Sequence, residues 1–495
     1  MKTIMTAAQT RDADRHTIEY GHITSLDLME KTSLAFATTF IQLYPDKNTS
    51  ILVCCGTGNN GGDGLAVARI LQAQGYDGIT VWIARFSMQE SENFTSNLSR
   101  LRGTPVPIAE LLPAAKLPPI QQDVIVDALL GSGLNKPLGG DWLNLAQHIN
   151  QAHRNTVAVD IPTGLRADGL MPDSDYAVYA GDVISFHRPK LSFFFPESAR
   201  AMERFQVVDI GLDDDFIESL PGNYLLVEAT DAQHFYKRRK PFSHKGTYGH
   251  ALVIAGSEPT MGAAILACGA SVYAGAGLTS ACIPEAGLTA LNACYPEVMY
   301  WPRHDTPTTG LEKTDAVAIG PGLGQTDIDL HRILTGLTKP PVIDADALTF
   351  LSQHPRLLQK LPKLSILTPH MKEFDRLFGT HSNWWDRLQT AKEKAVAFGI
   401  IIILKNRYTF IVLPDGNVAI NPTGNPAMAS GGMGDVLTGV LVSLLAQGYA
   451  PREAAILGCY LHGLAGDRLH AGGLDVVPAT QVIAEIPRAI ASLHD

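Results

Sequence analysis

The sequence predicts an α/β protein of two domains, each built on a mostly parallel sheet with helices on both faces. Three observations predict it. Short β-branched runs alternate with helical patterns along most of the chain. That alternation lapses once, between Asp209 and Gln233, and then restarts. A glycine-rich strand-to-helix junction occurs in each half, CGTGNNGGDG from Cys55 and SGGMGD from Ser430. With 495 residues the chain is long enough for two or three domains that each bury a core. No repeat at a fixed period is visible, so the halves are two different α/β domains in series.

The elements follow in order. Thr6 and Gln9 in TAAQTRDADR form a capping-box pattern that opens a helix. Strands are expected at ILVCC from Ile51, ITVWIA from Ile79, DVIVDAL from Asp123, TVAVDIP from Thr156, DVISF from Asp182 and FQVVDI from Phe205. Helical patterns lie between them at Gly64 to Gln74 and Asp141 to Gln151. Asp209 to Gln233 carries an acidic cluster and then Pro221-Gly222 without a sustained period, which reads as an exposed junction. The domains are therefore expected at 1–215 and 225–495. The second repeats the alternation at ALVIAG from Ala251, LTSACI from Leu278, DAVAIG from Asp315, PVIDAD from Pro341, LSILTP from Leu364 and IIIILK from Ile400, and an apolar helix runs from Val436 to Leu445.

Composition excludes several classes of function. A net charge of −10 argues against nucleic acid or an anionic membrane as partner. The most apolar run, Phe398 to Leu404, is too short to span a bilayer, and the N-terminus lacks an apolar signal core. A cytoplasmic protein is expected, with small-molecule substrates and a homo-oligomeric assembly. Cys54, Cys55, Cys268, Cys282, Cys294 and Cys459 sit in apolar surroundings without CxxC spacing and read as buried free thiols.

The first glycine cluster fits neither a dinucleotide fingerprint nor a P-loop, since GTGNNGGDG misses GxGxxG and no Gly-Lys-Ser/Thr follows. It would still bring backbone N–H groups to an anion at a helix N-terminus. Asn59, Asn60 and Asp63 add side-chain oxygens. DALLGSGLNKP (Asp127 to Pro137) and DIPTG (Asp160 to Gly164) also follow predicted strands, so the three loops should converge at the carboxyl edge of the sheet. Asn60, Asp127 and Thr163 offer oxygen donors and little charge, which suits a large, weakly polarising cation.

GNNGGDG, DALLGSGL and DIPTG, with TAAQTRDADR before them, resemble the NAD(P)H-hydrate epimerase domain, a Rossmann-like α/β sandwich. The resemblance covers about the first 210 residues. It implies that Asn59, Asn60, Gly61, Gly62, Asp63, then Gly131, Ser132, Gly133, Leu134, Asn135, Lys136 and Pro137, and Asp160 contact a hydrated nicotinamide cofactor. It also implies that Asn60, Asp127 and Thr163 hold K⁺. Asp160 is the candidate acid/base, with Lys136 as an alternative polar partner.

In the second cluster Gly431, Gly432 and Gly434 would expose N–H groups to an anion. Asp435 could simply complement the helix dipole. Beside a phosphate, though, a carboxylate is tolerated when it has a proton to remove. GGxGD resembles the ribokinase-like superfamily. MGAAILACGASVYAGAGL, IGPGLG, DADAL, TPHMKEFDRL and NPTGNPAMASGGMGDVLTG narrow the likeness to its NAD(P)H-hydrate dehydratases over most of residues 225–495.

That resemblance implies that Ala263, Gly324, His370 and Asp435 contact the hydrate, with Asp435 catalytic. Lys405, Asn406, Arg407, Tyr408, Thr409 and Gly434 would hold the nucleotide. KNRYT stands where the family has Lys-Gly before the Thr, and Met433 replaces a small hydroxyl residue. Asn406 tolerates positive φ better than most residues. Of Asp344 and Asp346, one is expected to cap the next helix.

Together the two halves imply repair of NADH and NADPH hydrates. The first interconverts R and S epimers, and the second dehydrates the S form with ADP and Mg²⁺. A plain ribokinase-like small-molecule kinase is the competing enzyme, and TPHMKEF and the fused NNGGDG domain count against it. A non-catalytic nucleotide sensor is disfavoured by the intact Asp435 and glycine loops.

Overall fold

The structure, a computed structural model, describes residues 1–303, 311–324 and 328–494. The chain divides into two compact units. One comprises Thr3–Gly222 with Asn383–Trp385, and the other Met1–Lys2, Asn223–Ser382 and Asp386–Asp495. Among the described residues no helix is long and apolar enough to cross a membrane.

The first unit has a seven-stranded sheet in the order Ile108–Leu111, Ile79–Ala84, Ile51–Cys55, Val124–Ala128, Asn155–Val159, Ala180–Phe186, Met202–Val208. Every neighbouring pair is parallel. Ile51–Cys55 is buried along its whole length, as a strand covered on both faces must be. Chain order reverses between it and Val124–Ala128, and a crevice opens at such a switch point. Ile108–Leu111, which the alternation does not reveal, is a short and mostly half-exposed edge strand.

The first helix runs Ala7–Tyr20 behind the expected Thr6–Gln9 capping box. The helix expected from Gly64 starts earlier, at Asn59, with Gly58 as its N-cap. Gly61, Gly62 and Gly64 thus lie in its first turns and not in a loop. Close approach is the reason: a Cβ on Gly61 would sit 1.8 Å from the Gly56 carbonyl oxygen, and one on Gly64 would sit 2.5 Å from Ala128 Cβ. The glycines let the helix N-terminus settle against two strand ends. Gly61→Ala is therefore expected to destabilise this unit by about 3 kcal/mol, since the obstructing atom is backbone and cannot rotate away; a urea midpoint indistinguishable from wild type would contradict this.

In the second unit the sheet runs Tyr224–Leu226, Val418–Asn421, Thr409–Val412, Ile401–Leu404, Ile366–Leu367, Val342–Ile343, Ala316–Ile319, His250–Ile254, Leu278–Ile283, Met299–Pro302. It is parallel from Ile401–Leu404 to Met299–Pro302. Thr409–Val412 and Val418–Asn421 add an antiparallel hairpin beyond it. Order reverses between His250–Ile254 and Ala316–Ile319, the second switch point.

Two expectations need correction. Asp209 to Gln233 is not bare junction: it forms helices Asp214–Ser219 and Ala229–Phe235 around strand Tyr224–Leu226, anchored by buried Ile217 and Ala232. Its helices are too short to show a period. Of the cysteines, Cys294 is exposed, and the other five are buried and free.

Candidate functional site

In the first unit, a cavity of about 610 Å³ opens at the switch point. Gly58, Asn59, Asn60 and Asp63 line it from the glycine-rich helix start, and Gly131, Ser132 and Gly133 from the loop after Val124–Ala128. Asp160 lines it from the end of Asn155–Val159. Leu134, Asn135, Lys136 and Pro137 are not part of this wall, and Asn135 to Pro137 are exposed. Lys136 is therefore not placed as a partner of Asp160.

That place belongs to Lys190, which the sequence reading missed. Lys190 is buried, and its Nζ lies 2.7 Å from Asp160 Oδ1. The Phe186 N–H donates to the same oxygen at 3.1 Å, and Ser185 Oγ does so at 3.3 Å. Asp160 itself has φ +65°. Asp and Asn adopt this left-handed region more readily than other non-glycine residues.

The opening helix also reaches the cavity, through Arg11, Asp14 and Arg15. Burial, then the charge of Asp160, pushes the Asp14 carboxyl up to about 6, with Lys190 opposing. Asp63 is pushed well above the usual carboxylate range by burial and by Asp160 and Asp14.

Asp127 and Thr163 meet beneath the wall, both fully buried. The Thr163 N–H and hydroxyl donate to the two Asp127 carboxylate oxygens, each at 2.8 Å, and the Leu129 N–H donates at 3.3 Å. Burial pushes the Asp127 carboxyl up to about 6 despite these bonds. Asn60 Nδ2 is buried without a hydrogen-bond partner. Amide nitrogen and oxygen are interchangeable by a flip, so this unpaired position can equally present an oxygen.

In the second unit most of the expected residues follow the carboxyl ends of parallel strands, Ala263 from within helix Met261–Tyr273. Ala263 follows His250–Ile254, Gly324 follows Ala316–Ile319, Asp344 follows Val342–Ile343, His370 follows Ile366–Leu367 and Lys405 follows Ile401–Leu404. Gly432, at φ +90°, turns the chain into helix Met433–Ala446 in a left-handed conformation that favours glycine. Asp435 thereby falls in the first helical turn.

Asp344 does not cap its helix by side chain. Its carboxylate instead takes Lys405 Nζ at 2.9 Å and the Thr438 hydroxyl at 2.9 Å. Asp346 accepts from the Gly324 N–H at 2.7 Å, which fixes that loop. His370 caps helix Met371–Phe378, with Nδ1 accepting from the Lys372 N–H at 3.1 Å, and its ring remains half exposed. Burial, and then Asp344, pushes the Asp435 carboxyl up to about 6, while Lys405 pulls the other way.

A second cavity of about 490 Å³ is lined by Lys405, Asn406, Arg407, Thr409 and Gly434. Tyr408 is not in this wall; the Arg407 guanidinium lies 4.5 Å over its ring. Asn406 is not among the residues with positive φ, so the KNRYT turn closes without imitating a glycine. Sequence reasoning missed His462, whose Nε2 is buried without a partner on this cavity. Burial, and then Lys405, pulls its ring down to about 4, which keeps it neutral. The His-Gly pair in YLHGLAGD was the available signal.

Comparison with known proteins bears on both units. Residues 251–488 match the family model described as NAD(P)H-hydrate dehydratase. Residues 25–192 match the YjeF-related protein N-terminus. The bifunctional NAD(P)H-hydrate repair enzyme Nnr of Moorella thermoacetica is 35% identical, over 94% of this chain and 92% of its own. Its namesake in Escherichia coli K12 is 32% identical, over 99% of this chain and 94% of its own. A solved ribokinase-like superfamily protein from Enterococcus faecalis V583 covers 55% of this chain and 96% of its own, with TM-score 0.50 and 29% identity.

Proposed function

The chain belongs to the family of bifunctional NAD(P)H-hydrate repair enzymes, and on that premise we propose how its two cavities divide the work. The Thr3–Gly222 unit interconverts the R and S epimers of NADH and NADPH hydrate at the Asp160 cavity. The unit that carries Asp435 dehydrates the S epimer to NAD(P)H with ADP, releasing AMP and phosphate. The observation that carries this reading is a carboxylate near a glycine-flanked helix start in each unit, Asp160 paired with Lys190 in one and Asp435 in the field of Asp344 and Lys405 in the other.

The dehydration chemistry follows from the groups present. Hydroxide is a poor leaving group, so the hydroxyl on ring carbon C6 is first phosphorylated. Asp435 removes its proton as the phosphoryl arrives. The N–H groups at the Gly432–Gly434 helix start stabilise the transferring charge. Phosphate then leaves as the ring nitrogen supplies electrons, and loss of a proton from C5 restores the double bond. Lys405, paired with Asp344, places its positive charge beside Gly434. Mg²⁺ would neutralise the nucleotide phosphates when bound. No group of three acidic, histidine or cysteine ligands stands ready for it among the described residues, which accords with its usual reliance on substrate phosphates.

Asp127, Thr163 and Asn60 would hold K⁺. The donor set fits, because Asp127 is a fully buried carboxylate whose hydrogen bonds all come from neutral groups. A monovalent cation there would balance that charge and lock the loops that shape the cavity.

As a base, Asp435 must be ionised. With its carboxyl raised to about 6, kcat/KM for dehydration should climb as pH rises through about 6 and level off above it. A profile flat from pH 5 to 8 would remove Asp435 from that role. For the donor, the KNRYT loop that puts Lys405, Asn406, Arg407 and Thr409 on the nucleotide wall is bulkier than the Lys-Gly turn of the family, so ADP should be preferred over ATP in kcat/KM under saturating Mg²⁺. An ATP value equal or higher would reverse the choice of donor.

The overall function is tested by incubating the protein with mixed R and S NADH hydrate and ADP. Complete recovery of NADH absorbance is expected. Recovery that stops at the S fraction would remove the epimerase, and absence of recovery would favour a kinase acting on another small molecule.

A further inference from the structure

Two carboxylates in the Asp160 cavity stand in opposite surroundings. Asp160 carries a buried lysine at 2.7 Å and two further donors. Asp14 lines the same cavity from helix Ala7–Tyr20 and has no hydrogen-bond partner among the described residues. We propose that Asp14 is the proton donor of the epimerase reaction and Asp160 its proton acceptor, with Lys190 as the residue that holds Asp160 in position. This deepens the epimerase reading above and rests on it.

Inverting C6 requires breaking a bond to that carbon and remaking it on the other face. Asp14 gives its proton to the C6 hydroxyl. The C–O bond breaks with its electron pair going to oxygen, so water leaves, and the ring nitrogen lone pair forms the N1=C6 bond. Water then adds to the opposite face as that π pair returns to nitrogen, and the added water passes a proton to Asp160. Proton exchange between Asp160 and Asp14 resets the site. Such a cycle needs one carboxyl that bears a proton and one that does not, and environments that push two acids apart are how a site obtains them.

The charged groups around Asp14 set its state. Asp160 and Lys190 face it from two strand ends, and Asp63 faces it from helix Asn59–Ala73. Arg11 and Arg15 line the cavity from its own helix, and Arg11 also faces Asp168. Helix Ser25–Leu43 brings only Ser25, Leu28, Met29 and Thr32 to the wall. Burial dominates, and the carboxyl rests at about 6, close to the pH at which a shuttling acid is most effective. Burial, and then Asp160 and Asp14, also push the Asp63 carboxyl well above the usual carboxylate range.

The test measures the R/S ratio of NADH hydrate chromatographically on the full chain, with Asp14→Asn and Asp14→Glu beside wild type. Asp14→Asn should lose about 10²–10⁴-fold in epimerisation while the urea midpoint of its own unit does not fall and dehydration of the S epimer, which belongs to the other unit, stays unchanged. Wild-type kcat/KM should fall as pH rises through about 6, and Asp14→Asn should lack that limb. Asp14→Glu should recover part of the rate. Epimerisation by Asp14→Asn within about threefold of wild type overturns the proposal, as does an Asp14→Asn pH profile that keeps the wild-type limb at about pH 6. If wild type itself fails to interconvert the epimers, the epimerase reading falls first.

Discussion

Asp435→Asn is expected to abolish nucleotide-dependent dehydration and leave epimerisation at the wild-type rate. The amide is nearly isosteric with the carboxylate and can occupy the same first turn of helix Met433–Ala446. It cannot take a proton. Loss of a positioned general base costs about 10²–10⁴-fold in rate. Unfolding is not the competing explanation, because the substitution relieves the protein. Burial and the charges of Asp344 and Asp346 raise the Asp435 carboxyl to about 6. A carboxyl raised on folding weakens the native state progressively as pH climbs from the ordinary carboxylate range to about 6, and fully above it. The Asn variant escapes that penalty, so its Tm at pH 8 should equal or exceed that of wild type. The Asp160 cavity belongs to the other unit, and its R/S exchange should not change. Near-normal recovery of NADH by this variant would remove Asp435 from the mechanism.

Both sites show what a sequence can and cannot disclose. Strand ends were legible because ILVCC, TVAVD and PVIDAD stop abruptly at Gly or Asp, and parallel order followed from the alternation. Local rules also found the Thr6 cap and the turn into Met433–Ala446. The hairpin Thr409–Val412 with Val418–Asn421 was missed although Asp415-Gly416 stands between its strands, a recognised turn pair. Lys190 was not legible. It lies thirty positions from Asp160 in the chain, and the two meet because Asn155–Val159 and Ala180–Phe186 are sheet neighbours, with the Asp160 N–H donating to the Ile184 carbonyl at 2.9 Å. Partners across a parallel sheet are set by strand order, which no local pattern encodes. The glycines of NNGGDG misled for a related reason, since their purpose is contact with Gly56 and Ala128 on two different strand ends. Composition suggested a loop, whereas packing required a helix.

Asp127→Ala should damage the first unit in two separable ways. Its carboxylate accepts from the Thr163 N–H, the Thr163 hydroxyl and the Leu129 N–H. Removing it strands these donors in a fully buried place. Each unsatisfied buried donor costs about 1–3 kcal/mol, though the Thr163 hydroxyl also lies 3.3 Å from the Leu130 carbonyl and can turn to it. A net loss of about 3 kcal/mol is therefore expected, read as a lower urea midpoint. The second effect concerns K⁺. If Asp127 supplies the negative charge of the cation site, adding KCl at constant ionic strength should raise the wild-type Tm and epimerase rate, and LiCl should not. In Asp127→Ala both responses should vanish, while dehydration of the S epimer keeps its rate because Asp435 lies in the other unit. Asp127→Asn separates shape from charge. It retains one acceptor oxygen and so part of the stability, yet it should respond to K⁺ no better than the Ala variant. A K⁺ response that survives in both variants would place the cation elsewhere and leave Asp127 as a buried clamp between the loops that follow Val124–Ala128 and Asn155–Val159.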